Sequence, residues 1–143
     1  MGVSRVFWDS NLFIYLFEGS GDLYRRTQQV LVRMSVRGDD LITSALTLGE
    51  LLVAPVQYGD HGIAARYERF LRPPNVHVFD FNREAARVYG ALRADKTIKP
   101  PDAIQLACAS AAGTNLFITN DDRLSKKKVP GIDFVVPLSK AFL

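Results

Sequence analysis

PPDAIQLACASAAGTNLFITNDD, residues 100–122, decides how this chain is read. Pro100-Pro101 suits the first turn of a helix, where a missing N–H costs nothing. Small and apolar residues run from Ala103 to Ala109, and Gly113 and Asn115 close the helix. Leu116-Phe117-Ile118-Thr119 is then too short for a helix and rich in β-formers, so it is predicted as a buried strand. An acid stands near each end of this helix–strand unit: Asp102 in the first helical turn and Asp121 just past the strand.

The same alternation extends outward. Val6-Phe7-Trp8, Leu41-Ile42-Thr43, Val76-His77-Val78-Phe79 and Phe134-Val135-Val136 are predicted as four more buried strands. Between them lie three/four-spaced stripes: Leu23, Thr27, Val30 and Met34; Ile63, Tyr67 and Phe70; Ala85, Tyr89 and Leu92. Asn82 is the expected N-cap of a helix over 83–95, and Pro55 is expected to end or kink the helix beginning near Thr47. Strands alternating with helices imply right-handed crossovers and a mostly parallel sheet covered on both faces. Ligands of such sheets bind beyond the carboxyl ends of the strands.

Four acids fall where that rule looks. Asp9 follows the first strand, Glu50 follows the second by one helical turn, Asp102 opens its helix and Asp121 follows the fourth strand. Carboxylates that converge must be neutralised, and hard divalent cations such as Mg²⁺ or Mn²⁺ prefer oxygen ligands. A phosphodiester hydrolase built this way needs no histidine or cysteine. Only His61 and His77 are present, without ligand spacing around either. Each acid also has a plain structural reading. Thr47 and Glu50 have capping-box spacing, Asp102 suits a helix dipole, and Asp9 and Asp121 suit turns. Asp122 competes with Asp121 for the fourth place, whereas Asp22, Asp80 and Asp95 are read as structural.

At these positions the chain resembles the PIN domain family, and within it the VapC-type toxins of toxin–antitoxin pairs. Phe7-Trp8-Asp9-Ser10-Asn11, Thr43 to Leu51 with Glu50, Pro101-Asp102-Ala103-Ile104-Gln105-Leu106-Ala107, and Phe117 to Leu124 with Asp121 carry the resemblance in order along the chain. It implies a three-layer α/β/α sandwich with a mostly parallel five-stranded sheet, as one nuclease domain over residues 1–143. It implies a Mg²⁺- or Mn²⁺-dependent endoribonuclease, acting on RNA, with a cognate antitoxin and a homodimer. Asp9 and Asp102 would be central metal ligands. Asp121 would hold a metal or orient water, and Glu50 would ligate a second ion or act through water. Thr119 and Asn11 would orient the carboxylates. The alternatives are a housekeeping RNA-processing nuclease of the same fold and a non-catalytic interaction module. An aspartyl-phosphate protein is disfavoured, because Asp9 is followed by Ser10-Asn11 rather than by a second acid in Asp-x-Asp spacing.

Composition sets the remaining bounds. The chain has 143 residues, 48% of them apolar, which suits one domain with an ordinary core. The net charge of +3 permits nucleic-acid binding without arguing for it. Arg93, Lys96, Lys99 and Lys126-Lys127-Lys128 are candidates for phosphate contacts and equally for solvated faces. Phe7, Trp8 and the single cysteine, Cys108, are read as core. One cysteine allows no intrachain disulfide, and the N-terminus lacks the apolar stretch of a secretory signal. Apolar runs fall short of the roughly 20 residues of a membrane span. The expected location is the cytoplasm, away from membranes.

Overall fold

The computed structural model describes residues 4–141, so residues 1–3 and 142–143 of the sequence lie outside the described part. The order is β1 (Arg5–Trp8), α1 (Ser10–Glu18), α2 (Gly21–Arg37), β2 (Asp40–Ser44), α3 (Ala45–Gln57), α4 (His61–Phe70), β3 (His77–Phe79), α5 (Arg83–Leu92), α6 (Pro100–Ala111), β4 (Leu116–Thr119) and β5 (Phe134–Pro137). Short 3₁₀ turns occupy Leu124–Lys126 and Leu138–Lys140. The five strands are all parallel, in the spatial order β3-β2-β1-β4-β5. The expected α/β sandwich is therefore present.

Strand alternation splits the core into two layers. Val6, Trp8, Leu41, Leu116 and Ile118 point to one face, against Leu12 and Phe13 of α1, Val30 and Met34 of α2, and Tyr67 of α4. Phe7, Ile42 and Phe117 point to the other, against Ala85 of α5 and Ala103, Leu106 and Ala107 of α6. The Phe7 and Phe117 rings stack across the β1–β4 pair with centroids 4.9 Å apart. Alanine-rich α6 can approach the sheet closely because its buried face is mostly Ala103, Ala107, Cys108 and Ala109, with Gln105 and Leu106 as its bulky members.

Most boundaries follow the sequence reading, and the departures have physical causes. The helix α1 was not expected. Leu12-Phe13-Ile14-Tyr15-Leu16-Phe17 is apolar all round and shows no stripe, yet Asp9 caps it directly after β1. Leu23 leaves the predicted stripe of α2 and is exposed, while Thr27, Val30 and Met34 are buried. Val76 precedes β3 rather than joining it, and the helix expected over 83–95 stops at Leu92. Of the two outcomes expected at Pro55, an end does not occur there, since α3 runs through it to Gln57. Ser44, not Thr47, is the N-cap of α3, its hydroxyl accepting from the Thr47 N–H at 3.4 Å. Glu50 therefore lies in the second turn and cannot close a capping box.

Asn82 caps α5 as expected, its side-chain oxygen accepting from the Ala85 N–H at 2.9 Å. Replacing it by Ala should cost about 1 kcal/mol of unfolding free energy, read as a lower urea midpoint with an unchanged slope. An unchanged midpoint would mean that the α5 terminus is held by packing alone. Among the described residues no helix is long and apolar enough to cross a membrane.

Candidate active site

The chain builds β1, β2 and β3 outward on one side, then crosses over to place β4 beside β1 and β5 beyond it. The reversal falls between β1 and β4, and in parallel sheets the crevice at such a point, past the carboxyl ends, is where ligands bind. Asp9 leaves β1 at that edge, and its N–H still donates to the Ile118 carbonyl of β4 at 3.0 Å. Asp121 leaves β4 two residues after its last residue, Thr119. The helices α3 and α6 start at the same edge and bring Glu50 and Asp102.

Asp9 is the most confined of the four. One carboxylate oxygen accepts from the Ser10 N–H at 2.9 Å, the other from the Thr119 hydroxyl at 2.8 Å. Both bonds favour the anion. Burial opposes them and wins, and the charges of Asp102 and Glu50 add to it, so the carboxyl is raised from 3.8 to about 6. Thr119 is completely buried, and its hydroxyl oxygen also accepts from the Asp121 N–H at 3.1 Å. It thus ties the acid after β1 to the backbone after β4, as expected of a group that orients a carboxylate.

Asp102 is also raised, by burial first and then by the charge of Asp121, with Glu50 adding to it and Arg123 and Lys99 opposing. Asp121 moves the other way, lowered chiefly by Arg123. The guanidinium reaches both of its oxygens, Nη2 at 2.9 Å and Nε at 3.2 Å, and the Arg123 backbone N–H adds a third donor at 3.0 Å. Glu50 accepts from the Ser10 hydroxyl at 2.6 Å.

The four acids therefore form one electrostatic group. Asp9 feels Asp102 and Glu50, and Asp102 feels Asp121 and Glu50. They do not form a closed cage: among the described residues no three His, Cys, Asp or Glu side chains are drawn together into a metal-holding group. Three of them have separate tethers, Thr119 on Asp9, Ser10 on Glu50 and Arg123 on Asp121. Mutual repulsion also holds like charges apart. The donor set fits a hard divalent cation: it is all oxygen, and two of its members carry carboxyl groups raised by burial and by one another.

Other expectations are sorted by the same geometry. Among the described residues the buried carboxamide oxygen of Asn11 has no hydrogen-bond partner. Among the bases, Arg93 donates to the Ile98 carbonyl at 2.9 Å, and Lys127 is held by Asp95 at 2.9 Å and Thr97 at 2.7 Å, so both brace the loop before α6. Trp8 and Phe7 are core. The sequence reading passed over Arg123 and over Gln105, a buried amide among the alanines of α6. A lone glutamine on the apolar face of a helix was the signal available.

A family model described as PIN domain matches residues 6–130. No curated protein matches the chain. Among solved structures, the DNA-bound VapBC from Salmonella typhimurium is similar at 21% identity with a TM-score of 0.72, over 95% of this chain and 99% of that one. VapBC2 from Rickettsia felis, bound to a DNA fragment from its promoter, is similar at 17% identity and 0.71, over 93% and 98%. VapC20 from Mycobacterium tuberculosis, a sarcin–ricin loop cleaving toxin, is similar at 15% and 0.63, over 78% and 86%. At these identities the likeness is one of fold.

Proposed function

This chain belongs to the PIN domain family, and from that premise we propose that it is a metal-dependent endoribonuclease, the toxin of a toxin–antitoxin pair. The observation that carries the reading is Asp9. A carboxyl placed at the end of the central strand, raised to about 6 by burial and by Asp102 and Glu50, is one whose anion a bound cation would stabilise. Loss of the capping-box explanation for Glu50 removes the plainest competing account of that acid.

In this reading Asp9, Glu50, Asp102 and Asp121 hold Mg²⁺ or Mn²⁺, and Asp121 rather than Asp122 is the fourth acid because it is the one coupled to Asp102. The cation, when bound, supplies positive charge at the phosphate and lowers the pKa of water. Thr119 holds the orientation of Asp9, and Ser10 that of Glu50. Arg123 offsets Asp121 and lies close enough to Asp102 to act on its charge. In this reading it also meets an RNA phosphate. A cognate antitoxin, a homodimer and a cytoplasmic location complete the proposal. The similar VapBC structures from Rickettsia felis and Salmonella typhimurium support the first of these.

The residue types set the cleavage chemistry. Attack by the RNA 2′-hydroxyl commonly relies on a histidine acid and base. Here His77 opens β3 at the amino edge of the sheet and His61 opens α4. Attack by water should leave 5′-phosphate and 3′-hydroxyl ends. An RNA cut at one mapped bond is to be remade with a single 2′-deoxy sugar on the 5′ side of that bond. Cleavage should survive, and a chelator should stop it. Loss of cleavage on the deoxy substrate, with a 2′,3′-cyclic phosphate on the unmodified product, would overturn the carboxylate mechanism.

A further inference from the structure

Resting on the metal-site reading above, we propose that Gln105 is a positioning residue, whose carboxamide turns the Ser10 hydroxyl onto Glu50. The argument is a count of protons. Gln105 is buried, and its Nε2 lies 2.7 Å from the Thr47 hydroxyl, 3.2 Å from the Ser10 hydroxyl and 3.5 Å from Glu50 Oε1. Its Oε1 accepts from the Ser44 hydroxyl. Thr47 is 2.8 Å from the Thr43 hydroxyl, which is 2.9 Å from the Trp8 carbonyl. Ser10 is 2.6 Å from Glu50.

These bonds form one line from the Trp8 carbonyl through Thr43, Thr47, Gln105 and Ser10 to Glu50. Both ends can only accept: one is a backbone carbonyl, the other a carboxylate. Each hydroxyl has one proton to give. Starting from Trp8, the Thr43 proton must go to the carbonyl, so Thr47 gives its proton to Thr43 and must accept from Gln105. Starting from Glu50, Ser10 gives its proton to the carboxylate and must also accept from Gln105. The middle member of the line must therefore donate in both directions.

A carboxamide nitrogen has two protons and does this. A carboxylate or a thioether does not. The Ser44 hydroxyl donating to Oε1 fixes which end of the amide faces the site. Gln105 thus commits the Ser10 proton to Glu50 and keeps the carboxylate lone pair engaged from one side. Ser10 sits at the first position of α1, next to Asp9, so the line also links Glu50 to the turn carrying Asp9. All of its hydroxyls come from the carboxyl edge of β2 and the starts of α1 and α3.

Metal affinity is the readout that separates this role from support of the fold. Mn²⁺ is to be titrated by calorimetry into wild type, Gln105→Met, Ser10→Ala, the double variant and Glu50→Gln. Groups that orient metal ligands are commonly worth about 10–100-fold in affinity. Gln105→Met and Ser10→Ala should each weaken Mn²⁺ about tenfold, and the double variant should be no worse than either alone, since both cut one line. Wild-type affinity in Gln105→Met, beside a clear loss in Glu50→Gln, would overturn the inference. So would additive losses, which would mean separate routes. Equal binding by wild type and Glu50→Gln would instead remove Glu50 from the metal site, and the inference with it. Should Gln105→Met fail to fold, Ser10→Ala decides alone, and unchanged affinity there overturns the proposal.

Discussion

Asp9→Asn should lose RNA cleavage by at least about a hundredfold, more than groups that merely orient metal ligands usually cost, and yet fold more stably than wild type at pH 7.5. The activity half follows from the position of Asp9 between Thr119 and the Ser10 N–H, coupled to two further acids. The stability half follows from linkage. Asp9 has an ordinary value of 3.8 when unfolded and about 6 when folded. Between those values the folded chain holds a proton that the unfolded chain has released. Stability therefore falls as pH rises through that window, and above about pH 6 the loss is complete. The step amounts to about 3 kcal/mol at most. An asparagine oxygen keeps the cap on α1, and its NH2 then donates to the Thr119 hydroxyl, without the charge. Urea unfolding of the metal-free proteins should show Asp9→Asn ahead by about 1–3 kcal/mol at pH 7.5. The gap should close toward pH 4. A variant less stable at every pH would make Asp9 a structural residue.

Saturating Mn²⁺ should raise the melting temperature of wild type by about 10 °C at pH 8. A ligand held only by the folded state adds about 2.7 kcal/mol at one hundred times its dissociation constant, and a chain of this length gains about 4 °C per kcal/mol. The shift should shrink strongly at pH 5.5, because the cation must then displace the proton that Asp9 holds below about 6. Asp102, also raised, adds to the same dependence. Asp102→Asn should lose most of the shift at pH 8. A shift of full size in that variant, or one indifferent to pH, would place the bound cation elsewhere on the molecule.

How much of this was legible in the sequence depended on how local each feature is. The strands Val6–Trp8 and Leu116–Thr119 declared themselves because both faces of a central parallel strand are buried, leaving a continuous apolar run. The Asn82 cap and the Pro100-Pro101 start are properties of a few neighbouring residues, and they held. The helix α1 was missed because its environment, not its pattern, makes it helical. Leu12, Phe13 and the residues around them pack against the core on more than one side, which erases the stripe. The acids were visible as residues at strand ends. Their differences were not: Asp9 is raised by burial, against the opposing bond from Thr119 110 positions away, and Asp121 is lowered by Arg123 two positions away. Gln105 was invisible as a functional group because its role depends on hydroxyls from three separate elements.

The pairing of β1 with β4 has a consequence for the timing of synthesis. β1 is the central strand, yet one of its neighbours, aligned as Val6 with Leu116, is made some hundred residues later. Thr119, which holds Asp9, and the third and fourth acids all belong to that last third of the chain. At a translation rate of roughly 5–20 residues per second, the ribosome needs on the order of 5–20 seconds to bridge that gap. During this interval the growing chain carries Asp9 at the unpaired side of β1 and Glu50 on α3, without the threonine that orients one or the acids that accompany both. On the proposed roles of the four acids, a chain still short of residues 102–121 cannot cleave RNA, and activity begins only when β4 pairs with β1.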